Sequence, residues 1–544
     1  MTTAWLEPAE LRIGLGCMRL PAESASETIA AAAEAGITVF DTARAYEDNE
    51  EMVARALRSC GADASARIVT KGGMSRPGGA WVADGRAKAI RADCEASLAA
   101  LDGLPIDIYL LHAPDPRTPW RTSVRALARL LDDGVVRRIG LANVNRTQLD
   151  EALADAPVAA VQVALSPFDD RALRGGLVER CEELEIALLA HSPLGGPKRA
   201  GRVDAEETLA WLLGLSPVVV PIPGARRPET ARSAARVAAA APAPAPARTR
   251  RSAAPARTDA EIVLVMGVPG AGKSRVAAEY TTRGYTRLNR DEQGGSLRKL
   301  AAVLDEKLAA GARRVVLDNT YLTRASRNEV VEVAARHGIP ARCVWLDAPL
   351  AQAQVNLVER LLERFGSLPT PAQLWELRKE PGMLAPTSQM RAFRELEPPS
   401  DDEGFAAVEL VPFVRASSSG MAGVFVAARA MTEPGWENAL AQGAPDAPHL
   451  VYDWNPDGDW ATLADAAAQV AAKVSGAAHT ALCPHPAGPP TCWCRPPLPG
   501  LPLAFAREHG VDPARSVVIG SGTAHKTLAA TLGARYVSPD PPTP

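Results

Sequence analysis

The chain has 544 residues, too many for one hydrophobic core, so roughly two to four domains are expected. Its apolar fraction of 47% and charged fraction of 23% are those of a globular protein, and a formal net charge of −3 excludes polyanion binding through overall charge, leaving only a local basic groove. No apolar run has the length of a membrane span, and the opening MTTAWLEPAELR lacks the basic-then-apolar order of a secretion signal, so a cytoplasmic location without membrane attachment is expected.

From the N-terminus, short apolar runs alternate with helix-period stretches. The strand candidates are IGLGCMRL, ITVFDTA, RIVTKGG, IDIYLLHA, VRRIGLANV, VAAVQVALSP, IALLAHSPL and VVVPIPGA, and alanine-rich amphipathic segments such as TSVRALARLLDDG lie between them. This alternation predicts a (β/α)8 TIM barrel over residues 1–235, with its site where strands end. Asp41 and Tyr46 in FDTARAYEDNE, Lys71 in IVTKGG and His112 in YLLHAPD occupy such ends. With GLGCMRLP and the pair Asn49 and Glu50, they resemble the tetrad and flanking motifs of the aldo/keto reductase superfamily.

The chemistry accounts for the grouping. Reducing a carbonyl needs a hydride on carbon and a proton on the developing alkoxide. A Lys71 ammonium beside Tyr46 lowers the cost of tyrosinate, and Asp41 holds that lysine charged. Tyr46 is then the proton donor and His112 orients the carbonyl. The resemblance implies a nicotinamide dinucleotide bound without a Rossmann domain. Asn143 and Gln162 match positions that hold the carboxamide, with Ala142 where serine is usual. Ser192 and Leu194 fit the pyrophosphate loop, and Arg226 and Arg227 are offered to an adenosine 2′-phosphate, which favours NADPH over NADH.

Residues 236–260, rich in Ala-Pro alternation, predict an extended linker. A P-loop kinase domain of parallel-sheet type is predicted over 261–415. There the apolar strand EIVLVM runs into GVPGAGKS and then a helix, which is a nucleotide-phosphate loop in its required context. Gly267, Gly270 and Gly272 let the backbone close on phosphate, Lys273 meets the β/γ-phosphates of ATP, and Ser274 ligates Mg²⁺. Downstream, RDEQGGS, DNTYLTRASR and the helix carrying Asn356 and Arg360 resemble the 5′-hydroxyl polynucleotide kinases. That resemblance implies Asp291 as general base, Asp318 near Mg²⁺, Arg290 and Arg327 gripping acceptor or phosphate, and Arg360 as a lid arginine. The acceptor it suggests is a DNA or RNA 5′ end; a sugar or other metabolite is the alternative.

The last segment, 416–544, contains Cys483, His485, Cys492 and Cys494, four ligands suited to a closed, structural Zn²⁺ site. CPHPAGPPTCWCRPPLPG resembles the zinc loop of histidinol-phosphate-type phosphatases of the haloacid dehalogenase superfamily. The acids of that chemistry are missing: Ala427 and Arg429 stand at the first strand's end, Pro496 replaces a lysine, and Ser521 and His525 replace the Mg²⁺-holding acids. A fold retained without phosphatase chemistry is expected. DWNPDGDWATLA lacks the twelfth-position acid of a calcium loop and is expected to be a turn. The whole predicts a fusion of a carbonyl reductase, a kinase and a degenerate phosphatase-like domain, acting on nucleotide and small carbonyl substrates.

Overall fold

The computed structural model describes residues 5–7, 9–196, 199–241, 259–378, 380, 382–413 and 419–539. The chain divides into two compact units, Met1–Arg250 and Arg251–Pro544.

Unit 1 is built on one parallel sheet of eight strands in sequential order: β1 (Gly14–Gly16), β2 (Val39–Asp41), β3 (Arg67–Gly72), β4 (Ile106–Leu111), β5 (Ile139–Ala142), β6 (Val158–Ala164), β7 (Ala187–His191) and β8 (Val219–Pro221). A parallel bridge between Gly16 and Gly224 joins its two ends, with the Gly16 N–H donating to Pro223 O at 3.0 Å. Glycine is needed at 16, because a Cβ there would lie 2.9 Å from Ile222 O. The sheet is therefore a closed barrel. Between and after the strands run α1 (Ala25–Glu34), α2 (Asn49–Ser59), α3 (Ala87–Leu101), α4 (Trp120–Asp132), α5 (Arg146–Leu153), α6 (Leu177–Glu183), α7 (Ala205–Leu215) and α8 (Pro228–Ala240).

Local sequence explains these helices. In α4 the buried residues Val124, Ala126, Leu127 and Leu130 make one apolar face, beside which Ser123 donates to Gly85 O. Helix α5 opens on a capping box between Asn145 and Gln148. Pro228 opens α8, which continues to Ala240, five residues into the expected linker, because alanine favours helix more than any other residue. Of that linker, residues 242–258 lie outside the described residues.

Strand alternation sorts the barrel's side chains. Val39, Val69, Ile108, Leu110, Ala142, Ala160, Ala187, Leu189, Val220 and Ile222 pack together inside, while Phe40, Ile68, Tyr109 and Leu188 pack in the layer under the helices.

Unit 2 holds two five-stranded parallel sheets. The first contains β9 (Glu261–Met266), β10 (Thr286–Leu288), β11 (Arg314–Asp318), β12 (Ala341–Asp347) and β13 (Ala407–Pro412), ordered β10-β11-β9-β12-β13. Strand β9 is buried along almost its whole length, as a central parallel strand covered on both faces must be. Its helices are α9 (Lys273–Thr282), α10 (Leu297–Ala309), α11 (Arg324–Arg336), α12 (Leu350–Phe365), α13 (Pro371–Glu376) and α14 (Pro386–Glu395). The second sheet contains β14 (Val424–Ala427), β15 (His449–Trp454), β16 (Ala478–Cys483), β17 (Val517–Ile519) and β18 (Arg535–Val537), ordered β16-β15-β14-β17-β18. It carries α15 (Trp460–Ala471), α16 (Gly500–His509) and α17 (Thr523–Leu532).

The boundary expected at 415/416 falls between β13 and β14, yet helix α12 serves both sheets. Its Ala353 belongs to the cluster around Val263 and Val265 of β9, whereas Val355, Leu357, Val358, Leu361 and Leu362 share a cluster with Phe425, Leu450, Phe505 and Leu528. Asp457 N–H donates to Asn455 Oδ1 at 3.0 Å, within the turn expected at DWNPDGDWATLA. Among the described residues no helix is long and apolar enough to cross a membrane.

Candidate active sites and metal centre

The inward parity of the barrel strands builds the first site. Asp41 follows Val39, Lys71 follows Val69, His112 follows Ile108 and Leu110, Gln162 follows Ala160, and His191 follows Ala187 and Leu189, so all five point to the interior at the carboxyl end. Lys71 is fully buried, and its Nζ donates to Asp41 Oδ1 at 2.8 Å and to Thr42 O at 2.7 Å. Gln162 Nε2 donates to the same Asp41 oxygen at 2.7 Å. The ammonium lies 5.2 Å from the centre of the Tyr46 ring, and the Tyr46 and His112 rings meet edge-on at 5.7 Å. The pair Asn49 and Glu50 supports the site from behind. Asn49 ties Cys17 O to Thr42, and Glu50 accepts from Thr70 and pairs with Arg44.

Asn143 and Ser192 both sit at positive φ, +57° and +53°, which turns the chain out of its strand at the barrel mouth. Asn143 Nδ2 donates to His112 O at 2.9 Å, and its Oδ1 lies 3.2 Å from His191 Nε2. Ala142 is buried beside Gln162, Leu194 is half-buried, and Arg226 and Arg227 are exposed at the start of α8. These groups fit a nicotinamide dinucleotide. His112 Nδ1 is a buried polar atom with no partner among the described residues.

Two residues of this site escaped the sequence reading. His191 obeys the same parity rule as the tetrad and could have been found by it. Trp81, on the loop after β3, stands edge-on to Tyr46 at 6.2 Å and to His112 at 5.6 Å, with the Arg76 guanidinium 4.4 Å from its ring. No periodic pattern marks a loop tryptophan.

Burial and charge act in opposite directions on the tetrad. Burial raises the Tyr46 pKa above its ordinary value, and the Lys71 ammonium offsets this only in part. Burial alone would lower Lys71, but Asp41 and Tyr46 outweigh it and leave its pKa raised. Burial, with Lys71 and His191 nearby, pushes His112 down to about 3, and burial and Lys71 take His191 to about 4. Both imidazoles are neutral near pH 7, and Tyr46 keeps its proton. Since a reductive proton donor must be protonated, kcat/KM for carbonyl reduction should be level from about pH 5 to about pH 9 and fall only above the raised Tyr46 pKa. A bell with an acid limb near pH 6.5 would contradict this, as it would require a titrating histidine.

In unit 2 the loop 267–274 joins β9 to α9. Gly267, Gly270 and Gly272 have φ of +149°, +91° and +91°. A Cβ at Gly270 would lie 2.3 Å from Ala353 O, so only glycine fits there. Lys273 Nζ donates to Gly267 O and Val268 O at 3.0 and 2.9 Å, and burial lowers its pKa to about 8 against the pull of Asp318. Ser274 is exposed at the first turn of α9. Backbone N–H groups at a glycine-rich turn opening a helix, with a lysine and a hydroxyl, fit a nucleotide phosphate and its Mg²⁺. Two helices brace the loop: Asn356 of α12 donates to Gly270 O at 2.8 Å, and Gln389 of α14, fully buried, donates to Pro269 O at 2.9 Å. Gln389 carried no sequence signal.

Asp318 ends β11, buried, and is paired with Arg287 and held by Asn289 Nδ2, whose own side chain caps the Asp291 N–H. Asp291 is exposed and pairs with Arg290 at 3.0 Å; Arg360 is exposed on α12. Arg327 differs from expectation. It is fully buried and forks onto Glu403 at 2.6 and 2.7 Å, with Tyr321 O and Glu397 O completing its bonds, so it grips the 397–404 segment instead of a substrate. Arg324 is also consumed there, by Asp402 and Ser400.

The Cys483, His485, Cys492 and Cys494 ligand atoms all lie within 4.8 Å of one another, and the three cysteines are buried. A tetrahedron with Zn–S of about 2.3 Å puts its sulfurs roughly 3.8 Å apart. The observed Cys483–Cys492 and Cys483–Cys494 separations are 3.7 and 3.2 Å, so the donor set fits a closed zinc site. At the carboxyl end of β14, Ala427 is buried and Arg429 exposed, and the Ser521 N–H donates to His525 Nδ1 at 3.2 Å.

Comparison with known proteins bears on both units. Residues 12–209 match the model of the aldo/keto reductase family, and residues 262–377 match that of the AAA domain. An aldo-keto reductase of Strobilurus tenacellus is 34% identical over 30% of this chain and 48% of its own length. "Probable aldo-keto reductase 1" of Glycine max is 32% identical over 36% of this chain and 61% of its own. The chain thus spans about half to three fifths of these relatives. A solved aldo-keto reductase of Klebsiella pneumoniae in complex with NADPH is 27% identical, covering 42% of this chain and 85% of its own, with a TM-score of 0.35. The chain carries an aldo/keto reductase domain at its N-terminus, followed by a P-loop domain of the AAA type.

Proposed function

We propose that unit 1 is an NADPH-dependent carbonyl reductase and that the P-loop domain is an ATP-dependent kinase of 5′-hydroxyl ends of nucleic acid. The observation that carries the reductase is the buried Asp41–Lys71 pair set beneath the Tyr46 ring with neutral His112 beside it. NADPH, when bound, supplies the hydride. Tyr46 gives its proton to the developing alkoxide, and Lys71, kept charged by Asp41, stabilises the negative charge left on the Tyr46 oxygen. His112 orients the carbonyl, with Trp81 walling the same side. Asn143, Gln162, Ser192 and Leu194 hold the cofactor, and the exposed Arg226 and Arg227 favour a 2′-phosphate.

For the kinase, the support is the glycine cradle with Lys273 and Ser274, and the placement of Asp291 and Arg360 as exposed residues whose charges act on Lys273. Asp291 takes the acceptor proton and Arg360 neutralises charge on the transferring group, with Asp318 holding Mg²⁺ or its water. The second sheet of unit 2 is assigned a haloacid-dehalogenase-like fold in which Ala427 and Arg429 leave no nucleophile, so its role is support. The full chain should oxidise NADPH with a panel of aldehydes and move the γ-phosphoryl of ATP to 5′-hydroxyl oligonucleotides. Transfer to sugars with none to DNA or RNA ends would replace the nucleic-acid acceptor by a metabolite. No NADPH oxidation with any carbonyl would leave the barrel a binding module.

A further inference from the structure

The zinc-type cluster and the nucleotide loop are joined by a short line of contacts. Trp493 lies between two of the four ligands, Cys492 and Cys494, and is 1% exposed. Its Nε1 donates to Leu384 O at 2.9 Å. Leu384 lies two residues before α14, whose Gln389 donates to Pro269 O inside the phosphate loop. Gly500, the first residue of α16, lies so close to Leu368 that a Cβ there would be 3.1 Å from it. Helix α12, whose Asn356 holds Gly270 O, packs its other face into the core that contains Cys483, Cys492, Trp493 and Cys494.

The cluster's loop has few backbone hydrogen bonds of its own, among them Leu498 N–H to Arg495 O and Gly500 N–H to Trp493 O. Residues 484–499 form neither helix nor strand, and Pro484, Pro486, Pro489 and Pro490 lack the N–H groups that a ladder would use. Gathering three thiol groups and an imidazole within 4.8 Å is what a bound metal does, and its binding energy becomes ordering energy for the loop.

We propose that the Cys483–His485–Cys492–Cys494 cluster is a metal-dependent clamp on the nucleotide site: with zinc bound, Trp493 holds Leu384, and with it α14 and Gln389, against the phosphate loop. Nucleotide affinity then depends on a metal that never touches the nucleotide. This rests on the nucleotide-binding role proposed above for the loop. Trp493 and Gln389 are positioning residues, acting through Leu384 O and Pro269 O. Linkage makes the effect reciprocal, so nucleotide must tighten zinc by the same factor by which zinc tightens nucleotide.

The test is a titration of Mg·ATP onto the full chain in three forms: zinc-loaded wild type, wild type stripped by chelation, and zinc-loaded Trp493→Phe. Trp493→Phe keeps all four ligands and should retain one zinc per chain, yet weaken ATP about two- to tenfold, the span of one net hydrogen bond. Stripping zinc should weaken ATP by at least as much, and saturating ATP should slow zinc release to a chelator. Gln389→Ala provides a second variant outside the metal core and should weaken ATP while leaving zinc content unchanged. Equal ATP affinity in the loaded, stripped and variant proteins, alongside normal binding by the loaded wild type, overturns the clamp and leaves the nucleotide site standing. No ATP binding by the zinc-loaded wild type overturns both.

Discussion

Replacing Tyr46 with Phe should lower carbonyl reduction by about 10²–10⁴-fold, the usual contribution of a positioned general acid. Phe keeps the ring that lies 5.2 Å from the Lys71 ammonium and 5.7 Å from His112, so ring packing is preserved while the hydroxyl, with its proton and its bond to Lys71, is lost. NADPH affinity should change by no more than about twofold, because a group acting only in the transition state moves kcat and not ground-state binding. Steady-state NADPH oxidation and a separate titration of cofactor fluorescence measure the two quantities. A variant that keeps more than about a tenth of wild-type kcat would remove Tyr46 from the chemistry. The raised pKa of Tyr46 gives the expectation its direction: the phenol is a proton store at neutral pH, and Lys71 eases its release without emptying it beforehand.

Arg327→Ala should lower the unfolding free energy of unit 2 by about 3–5 kcal/mol, because it leaves Glu403 buried without its cation. Both partners are almost wholly enclosed, at 0% and 2% side-chain exposure. The fork also satisfies Tyr321 O and Glu397 O, so its loss orphans backbone carbonyls as well. Arg324→Ala should cost less, since its partner Asp402 is 50% exposed and water replaces the lost charge. Denaturant midpoints followed by tryptophan fluorescence rank the two. Replacing Arg327 and Glu403 together by leucine should recover much of the single variant's loss. A small effect of Arg327→Ala, below about 1 kcal/mol, would contradict the structural role and restore a case for substrate contact.

The barrel was legible because its signal is repeated. Each strand shows the same alternation, and the chemistry-bearing residues occupy its last inward positions, as with Val39 then Asp41 and Val69 then Lys71. The phosphate loop was legible because glycine spacing reports backbone geometry directly. Arg327 was misread because its partner lies 76 residues away, and an arginine near a phosphate motif looks alike whether it faces a ligand or a buried glutamate. Trp81 and Gln389 reach their sites from a loop and a short helix, where no period marks which side chain turns inward. Helix α12 carries apolar residues for two cores, and in sequence these merge into one amphipathic pattern.

That double service of α12 bears on how the gene for this protein can be cut. The sequence invites a division near 415, where polar residues cluster, into two independent parts. A chain ended there would leave Val355, Leu357, Val358, Leu361 and Leu362 uncovered in one row, an adhesive stripe on the helix that also braces Gly270. The shortened protein should associate with itself, visible as early elution on a sizing column. The C-terminal sheet would then be inherited for the apolar cover it gives its neighbour, a reason to persist that needs no chemistry of its own.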